Sequence, residues 1–542
     1  MTAPGAARTP EAPPGAGMRR VAADSVIGSA ATLVSRVSGL VRVVVVAAVL
    51  GPTLFGDLYQ ATNNLPNLTY ELLTGALFVS LVVPALVRHL DTDDVAAATR
   101  LANGFLTLTT VAALAVVAIG VAAGPLVLDV LTAGAPEGPD GGTAWLLLAL
   151  LLLQVPLYLL AGLAAAVQNA RGRFALAAAA PSVENLGIVV VLLAYALLAG
   201  GDAADGVGPA DVLLLGGGTN AAVALHAAVQ WAGARAVGVR LAPSRSWRDA
   251  EVRGLVRLAV PSMGYAGLNV VRYLCVLVVA AAVPGGVVAM TLAIAFYNLP
   301  VALGAKPVAY AALPALARAG HRADDQAYGT LFRRSLGLVL FLTVPAAVGY
   351  VLLSGPLAAA VSFGEMAGPA GRELVRVCLL GIGLGVAGEA ALVLATQAAY
   401  ARRDGAAPLA AVALRTTVAV AGMGAAWALL DGTALLLAVG AAVAVSDLLA
   451  AALLCLATRR RLPAAESGLL PSVLRAVLAS AAMAVVVVPL LLLLGTPVGP
   501  AAGVGTVVLA ALVGAAAYLG AQWLLRAPEL TGLRELTRRG PA

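Results

Sequence analysis

The chain has little of what chemistry on a soluble substrate requires. Only 11% of its 542 residues are charged, against about a quarter in an ordinary soluble domain. Cysteine is reduced to Cys275, Cys378 and Cys455, each inside an apolar stretch, and none stands in a CxxC or Cys/His spacing. That excludes a readable disulfide framework or zinc site. The histidines, His89, His226 and His321, are equally scattered. No GxSxG, HExxH, Walker or dinucleotide-binding pattern falls at a strand-to-helix junction. Lys306 is the only lysine. Together these absences exclude an ordinary soluble enzyme.

What the chain has instead is apolar length. Hydrophobic residues make up 61% of it, and its mean hydropathy is +0.95. A hydrocarbon core about 30 Å thick is crossed by roughly 20 apolar residues in a helix, and about fourteen such runs lie between polar breaks, from 21–50 to 503–525. The first twenty residues, rich in Pro, Gly and Ala and ending in Arg19-Arg20, read as a disordered cytoplasmic tail. The apolar run after them is too long for a cleaved signal peptide and carries Arg36 and Arg42, so the tail is expected to stay attached.

An even number of spans puts both ends on one side. With the N-terminus inside, about 26 of the 34 basic residues fall in cytoplasmic segments, about 2 (Arg372 and Arg376) outside and about 6 within spans, as the positive-inside rule requires. The longest basic stretch, Arg235 to Arg257, separates the sixth run from the seventh. The expected fold is an all-α integral membrane protein with about 14 transmembrane helices. Its parts are a tail (1–20), a six-helix part (21–234), a cytoplasmic linker (235–257), an eight-helix part (258–526) and a cytoplasmic tail (527–542), arranged around a central cavity. The net charge of +7 is then a topology signal and an attraction to anionic lipid heads, with no nucleic-acid partner implied. The run Asn169-Ala170-Arg171-Gly172-Arg173 before Pro181 has a weak counterpart six spans later in Tyr400-Ala401-Arg402-Arg403-Asp404 before Pro408. Such a spacing suits a duplicated bundle with a site between the copies.

Charge inside a span is costly, about 2.5 to 3.5 kcal/mol each at the bilayer centre, and by default faces a cavity or a partner. Arg36 and Arg272 both come out about 20 Å into their helices, where snorkelling cannot rescue them; an anion-binding cavity and structural pairing are both open. Arg36 and Arg42 point about 120° apart on a straight helix, so both line one cavity only if Ser38-Gly39 bends the helix or the cavity is wide. Glu71 is either a partner for Arg36 or Arg272 or a cavity residue, and Lys306 either snorkels or lines the cavity. Glu389, Arg415 and Asp447 share a depth of about 10 to 15 Å. They form either a structural ion-pair network or, with one carboxylate in surplus, a proton or sodium site coupled to transport at Glu389 or Asp447.

Several local patterns resemble the MurJ (MviN) lipid II flippase family of the multidrug/oligosaccharidyl-lipid/polysaccharide exporter superfamily. They are Ser35-Arg36-Val37-Ser38-Gly39-Leu40-Val41-Arg42, Leu50-Gly51 with Asp57, Leu65-Pro66-Asn67-Leu68 followed by Gly75-Ala76, and Asn169 with Arg173-Phe174, Pro181 and Asn185. Pro300, Pro314, Tyr400, Arg402, Asp404 and Pro408 continue the series in order. The resemblance implies outward flipping of a polyprenyl-pyrophosphate-linked cell-wall precursor by alternating access, in the bacterial cytoplasmic (inner) membrane, with cavity arginines gripping the pyrophosphate. Arg36 and Arg42 carry over. Two further family arginines fall at Glu71 and Ala295, and the acid after the second arginine at Val43, so Arg272 and Lys306 are expected to supply the missing charge. Asp57 and Glu71 complete the expected substrate-binding set. The expected partners are a lipid-linked glycan, the bilayer and the cell-wall synthesis machinery. No cofactor is implied; coupling would be to Na+, H+ or the membrane potential. The rival reading, a cation-coupled drug exporter of the same superfamily, makes Glu71, Glu184 and Glu389 the cation binders. A non-transporting scaffold would instead pair every buried charge.

Overall fold

The computed structural model describes residues 16–74, 81–133, 135, 141–198, 207–460, 462 and 470–530, and among these there are helices and turns and no strand. Most of the expected N-terminal tail, the Gly75-Ala76 pair and the last twelve residues lie outside the described residues. Helices follow from the solvent: in hydrocarbon every backbone N–H and C=O must be satisfied within the segment. Large apolar side chains accordingly face outward, Leu197 at 84% and Leu493 at 86% exposed.

The six-helix part contains α1 (Ala16–Leu50), α2 (Leu54–Thr74), α3 (Val83–Asp91), α4 (Val95–Ala122), α5 (Gly124–Leu131) and α6 (Gly141–Leu152). It continues through α7 (Gln154–Ala170), α8 (Phe174–Ala179), α9 (Pro181–Leu198), α10 (Pro209–Val212) and α11 (Gly218–Ala236). The eight-helix part contains α12 (Ala250–Ala280), α13 (Gly286–Pro300), α14 (Lys306–His321), α15 (Asp325–Leu352), α16 (Ser354–Val361) and α17 (Pro369–Gly383). It ends with α18 (Gly385–Ala401), α19 (Ala406–Leu429), α20 (Gly432–Arg460), α21 (Leu470–Leu494) and α22 (Pro500–Leu524). Two expected boundaries shift. Helix α1 is described from Ala16, five residues before Val21, and α12 begins at Ala250, inside the expected linker.

Among the described residues twelve helices are long and apolar enough to cross a membrane, or thirteen with the pair α17 and α18, bent by 44°, counted as one span. The remaining expected span is represented by α2 and α3, with residues 75–80 between them outside the described residues. Thus each of the fourteen apolar runs has a helical counterpart.

The weak sequence repeat becomes explicit in the packing. Helix α1 packs on α9 as α12 packs on α19, α7 on α11 as α18 on α20, and α4 on α7 as α15 on α18. The turns recur as well. Asp94 caps α4 by accepting from Ala97 N at 2.8 Å, and Asp324 caps α15 by accepting from Ala327 N at 2.9 Å. Each Asp is preceded by a residue with positive φ, Asp93 at 56° and Ala323 at 53°. The turns after α7 and α18 match too, with Arg173 N donating to Gln168 O and Asp404 N to Ala399 O. The two copies meet through α1 on α13 and α12 on α2, while α21 and α22 pack on α15 and α16 at the side.

Candidate functional site

A cavity of about 1010 Å³ lies between the two copies, walled by α1, α2, α7, α9 and α11 on one side and α12, α13, α18 and α19 on the other. Arg36 and Arg42 both line it, although α1 is a single uninterrupted helix, so the cavity's width answers the question their spacing raised. Arg272, Lys306, Glu71 and Glu389 line it as well. The motif residues around Arg36 position it. Asn185 Nδ2 donates to Ser38 Oγ at 3.0 Å, fixing α9 against α1. Lys306 is set by a π-helical turn, Val301–Ala305, between Pro300 and Pro307. Such turns re-aim side chains at functional sites.

Most of the charge in the wall is already matched. In the six-helix part Arg42 Nη1 lies 3.4 Å from Glu184 Oε1, which also accepts from Tyr158 Oη at 2.7 Å, while His226 Nδ1 stands 2.9 Å from Glu184 Oε2. In the eight-helix part Arg415 joins Asp447, Glu389 and Asn269, Arg272 Nη1 reaches Asp447 Oδ1 at 3.3 Å, and Tyr297 Oη donates to Asp447. Asp447 is fully buried and is not part of the cavity lining. Glu389, Arg415 and Asp447 are therefore brought together as their depths suggested. Arg272 belongs to that network, and Glu71 pairs with neither Arg36 nor Arg272.

Arg36, Lys306 and Glu71 remain. Among the described residues none of the three has an ion-pair partner within 4.0 Å. Arg36 and Glu71 are exposed to the cavity. Two cations and one acid thus stand available in a wall whose other charges are neutralised in pairs.

Asp57, expected among the substrate ligands, sits elsewhere. It is buried at the opposite end of α2 from Glu71, where its carboxylate accepts from Gly285 N at 2.7 Å and Val288 N at 3.0 Å. It caps α13 across the interface between the two copies, where the helix N-terminus favours negative charge. Close approach there depends on glycine: a Cβ on Gly285, whose φ is +80°, would stand 2.5 Å from Pro52 Cα, and one on Gly51 would stand 2.5 Å from Glu365 Cβ. This end of the cavity is shut. Replacing Asp57 by Ala leaves two buried N–H groups without acceptors, a cost of about 1–3 kcal/mol each. We expect D57A to loosen the closure, read as a longer, broader spin-label distance between Thr53→Cys and Ala367→Cys; an unchanged distance would make the cap dispensable.

The residues that sequence reasoning missed are the partners. Tyr158 and His226 around Glu184, and Asn269 and Tyr297 around Arg415 and Asp447, are polar groups on apolar helices. Their only signal was polarity in an apolar run; which charge each would meet depends on packing between distant helices.

Two copies of a six-helix bundle about a charged cavity shut at one end define a multi-pass membrane transporter fold. Solved structures place it more closely: it superposes on "Lipid II flippase MurJ, inward closed conformation" with a TM-score of 0.73 and 15% identity, covering 92% of this chain and 99% of that one. An inward-facing multidrug resistance MATE family transporter of the MOP superfamily gives 0.64 and 16%, covering 79% and 94%. The profile of the lipid II flippase MurJ family matches residues 46–500, and the chain belongs to that family. A probable lipid II flippase MurJ of Rhizobium meliloti (strain 1021) is 30% identical over 329 residues, 60% of either chain. That of Rhizobium tropici is 26% identical over 390 residues, 72% of either chain. The match therefore spans 60% of the length of the first of these relatives.

Proposed function

We propose that this protein carries lipid II, or a closely related polyprenyl-pyrophosphate-linked glycan, from the inner to the outer leaflet of the bacterial cytoplasmic membrane by alternating access. Both termini and the linker 235–257 face the cytoplasm, and the cavity then opens inward. The observation that carries this reading is that two cavity cations, Arg36 and Lys306, have no carboxylate within 4.0 Å among the described residues, in a wall whose other arginines are held by carboxylates. A guanidinium offers parallel charge-assisted hydrogen bonds to adjacent phosphate oxygens, and Lys306 adds a point charge. Glu71, also unmatched, is an acceptor for hydroxyl and amide donors of the headgroup. The polyprenyl tail requires only apolar surface. Of the three carboxylates that the drug-exporter reading makes cation binders, Glu184 and Glu389 are engaged by Arg42 and Arg415, which leaves Glu71 alone.

In the cycle this implies, cargo enters the inward cavity, the Asp57 cap on α13 releases, and the two copies rock so that the site opens on the other side. Glu389 and Asp447 hold the eight-helix wall together through Arg415 and Arg272, so in this cycle their role is structural. Depleting the protein from a cell that relies on it should cause lipid II to accumulate on the inner leaflet. Accumulation of no lipid-linked intermediate, or of one lacking a pyrophosphate, would overturn the proposal.

A further inference from the structure

One titratable group in the cavity wall has no place in that cycle. His226 is 7% exposed and lines the cavity. Its Nδ1 is engaged with Glu184, while its Nε2 is buried without a hydrogen-bond partner. An imidazole whose Nδ1–H is donated to a carboxylate carries its lone pair on Nε2. Here the Nε2 lone pair is unengaged, and the carboxylate on Nδ1 is the group that would stabilise the ring if Nε2 took up a proton.

We propose that His226 and Glu184 form a proton-binding site that controls Arg42. The charged and titratable groups around it come from each helix that packs there: Arg42 from α1, Tyr59 from α2, Tyr158 from α7, Glu184 from α9 and His226 from α11. The adjoining α6 and α8 contribute none. With His226 neutral, Glu184 balances Arg42. A proton arriving at Nε2 gives an imidazolium that keeps its Nδ1–H on Glu184 Oε2, so one carboxylate then faces two cations. The 3.4 Å contact to Arg42 is the longest that Glu184 makes, and it is the one to yield. Arg42 is then free to turn to an anion in the cavity, alongside Arg36. No bond other than N–H forms, and the proton comes from water in the cavity. By linkage, anion binding takes up a proton and acid strengthens anion binding. Histidine is the side chain suited to this between pH 5 and 8.

This inference rests on the proposed function only for its anionic cargo, and the test separates the two. The chain has three histidines, and His89 and His321 lie at the linker end, His89 on exposed Glu251. In a His89→Gln/His321→Gln background with 15N-labelled histidine, the His226 nitrogen resonances should report a neutral ring at pH 8 and an imidazolium at pH 5.5. Glu184→Gln should leave the ring neutral throughout. Lipid II binding by wild-type protein in detergent should then be about tenfold tighter at pH 5.5 than at pH 8, and His226→Gln should flatten that dependence. A ring that never protonates in this range, or a pH dependence that survives in His226→Gln, would overturn the proton site. Failure of folded protein to bind lipid II at any pH, with the ring still titrating, would count against the lipid II reading alone.

Discussion

Arg36→Ala is expected to abolish flipping while leaving membrane insertion and abundance unchanged. Arg36 faces the cavity and has no ion-pair partner among the described residues, so its removal strands no buried carboxylate. A stability cost is not expected; the loss falls on cargo. A bidentate guanidinium contact to a phosphate is charge-assisted, worth about 1.5–3 kcal/mol, which corresponds to a loss of roughly tenfold to a hundredfold in affinity. Arg36→Lys keeps the charge but not the fork, so it should restore activity only in part. Lipid II exposure on the outer leaflet and protein level, measured together, check this. Depletion of the Arg36→Ala protein from the membrane would mean that the arginine is structural.

The opposite pattern is expected at Asp447. It is fully buried between Arg415 and Arg272 and accepts from Tyr297 as well. Among the described residues, Asp447→Asn removes the one carboxylate that pairs with Arg272 and one of the two on Arg415. Breaking a buried pair by removing one partner costs about 3–5 kcal/mol, because the other charge is left uncompensated. That is a large share of a membrane protein's margin, so the variant should fall in abundance and thermal stability. Adding Arg272→Gln, which removes the stranded cation, should recover part of the loss. Normal abundance with an altered response to sodium would instead assign Asp447 to ion coupling.

Arg36 and Asp447 also mark how far the amino-acid sequence reaches by itself. The depth of each follows from counting along apolar runs at about 1.5 Å per residue, and both are at cavity or interface as that depth requires. Which of them is matched does not follow. Asp447 meets arginines from α12 and α19, helices 175 and 32 positions away in sequence, and no local pattern encodes such a meeting. Asp57 shows the same limit in another form. Its motif, Leu50-Gly51 followed by Asp57, marks it as important, but a carboxylate in a conspicuous motif looks alike whether it meets cargo or two backbone N–H groups. The span pattern, by contrast, is legible almost completely, because the bilayer imposes one length and one composition on every crossing. The duplication is faint in the residues and plain in the packing, since equivalent turns need equivalent backbone geometry rather than equal side chains.

Recognition of a pyrophosphate by an unmatched guanidinium is tested most directly by comparing two polyprenyl lipids that differ only in carrying a diphosphate or a monophosphate. Binding of each to purified wild-type and Arg36→Ala protein should be measured at one pH and low salt. Wild-type protein is expected to prefer the diphosphate by about tenfold or more, and Arg36→Ala to lose most of that preference while binding the monophosphate nearly as before. Equal affinity of wild-type protein for the two lipids, or a preference that survives without Arg36, would contradict it.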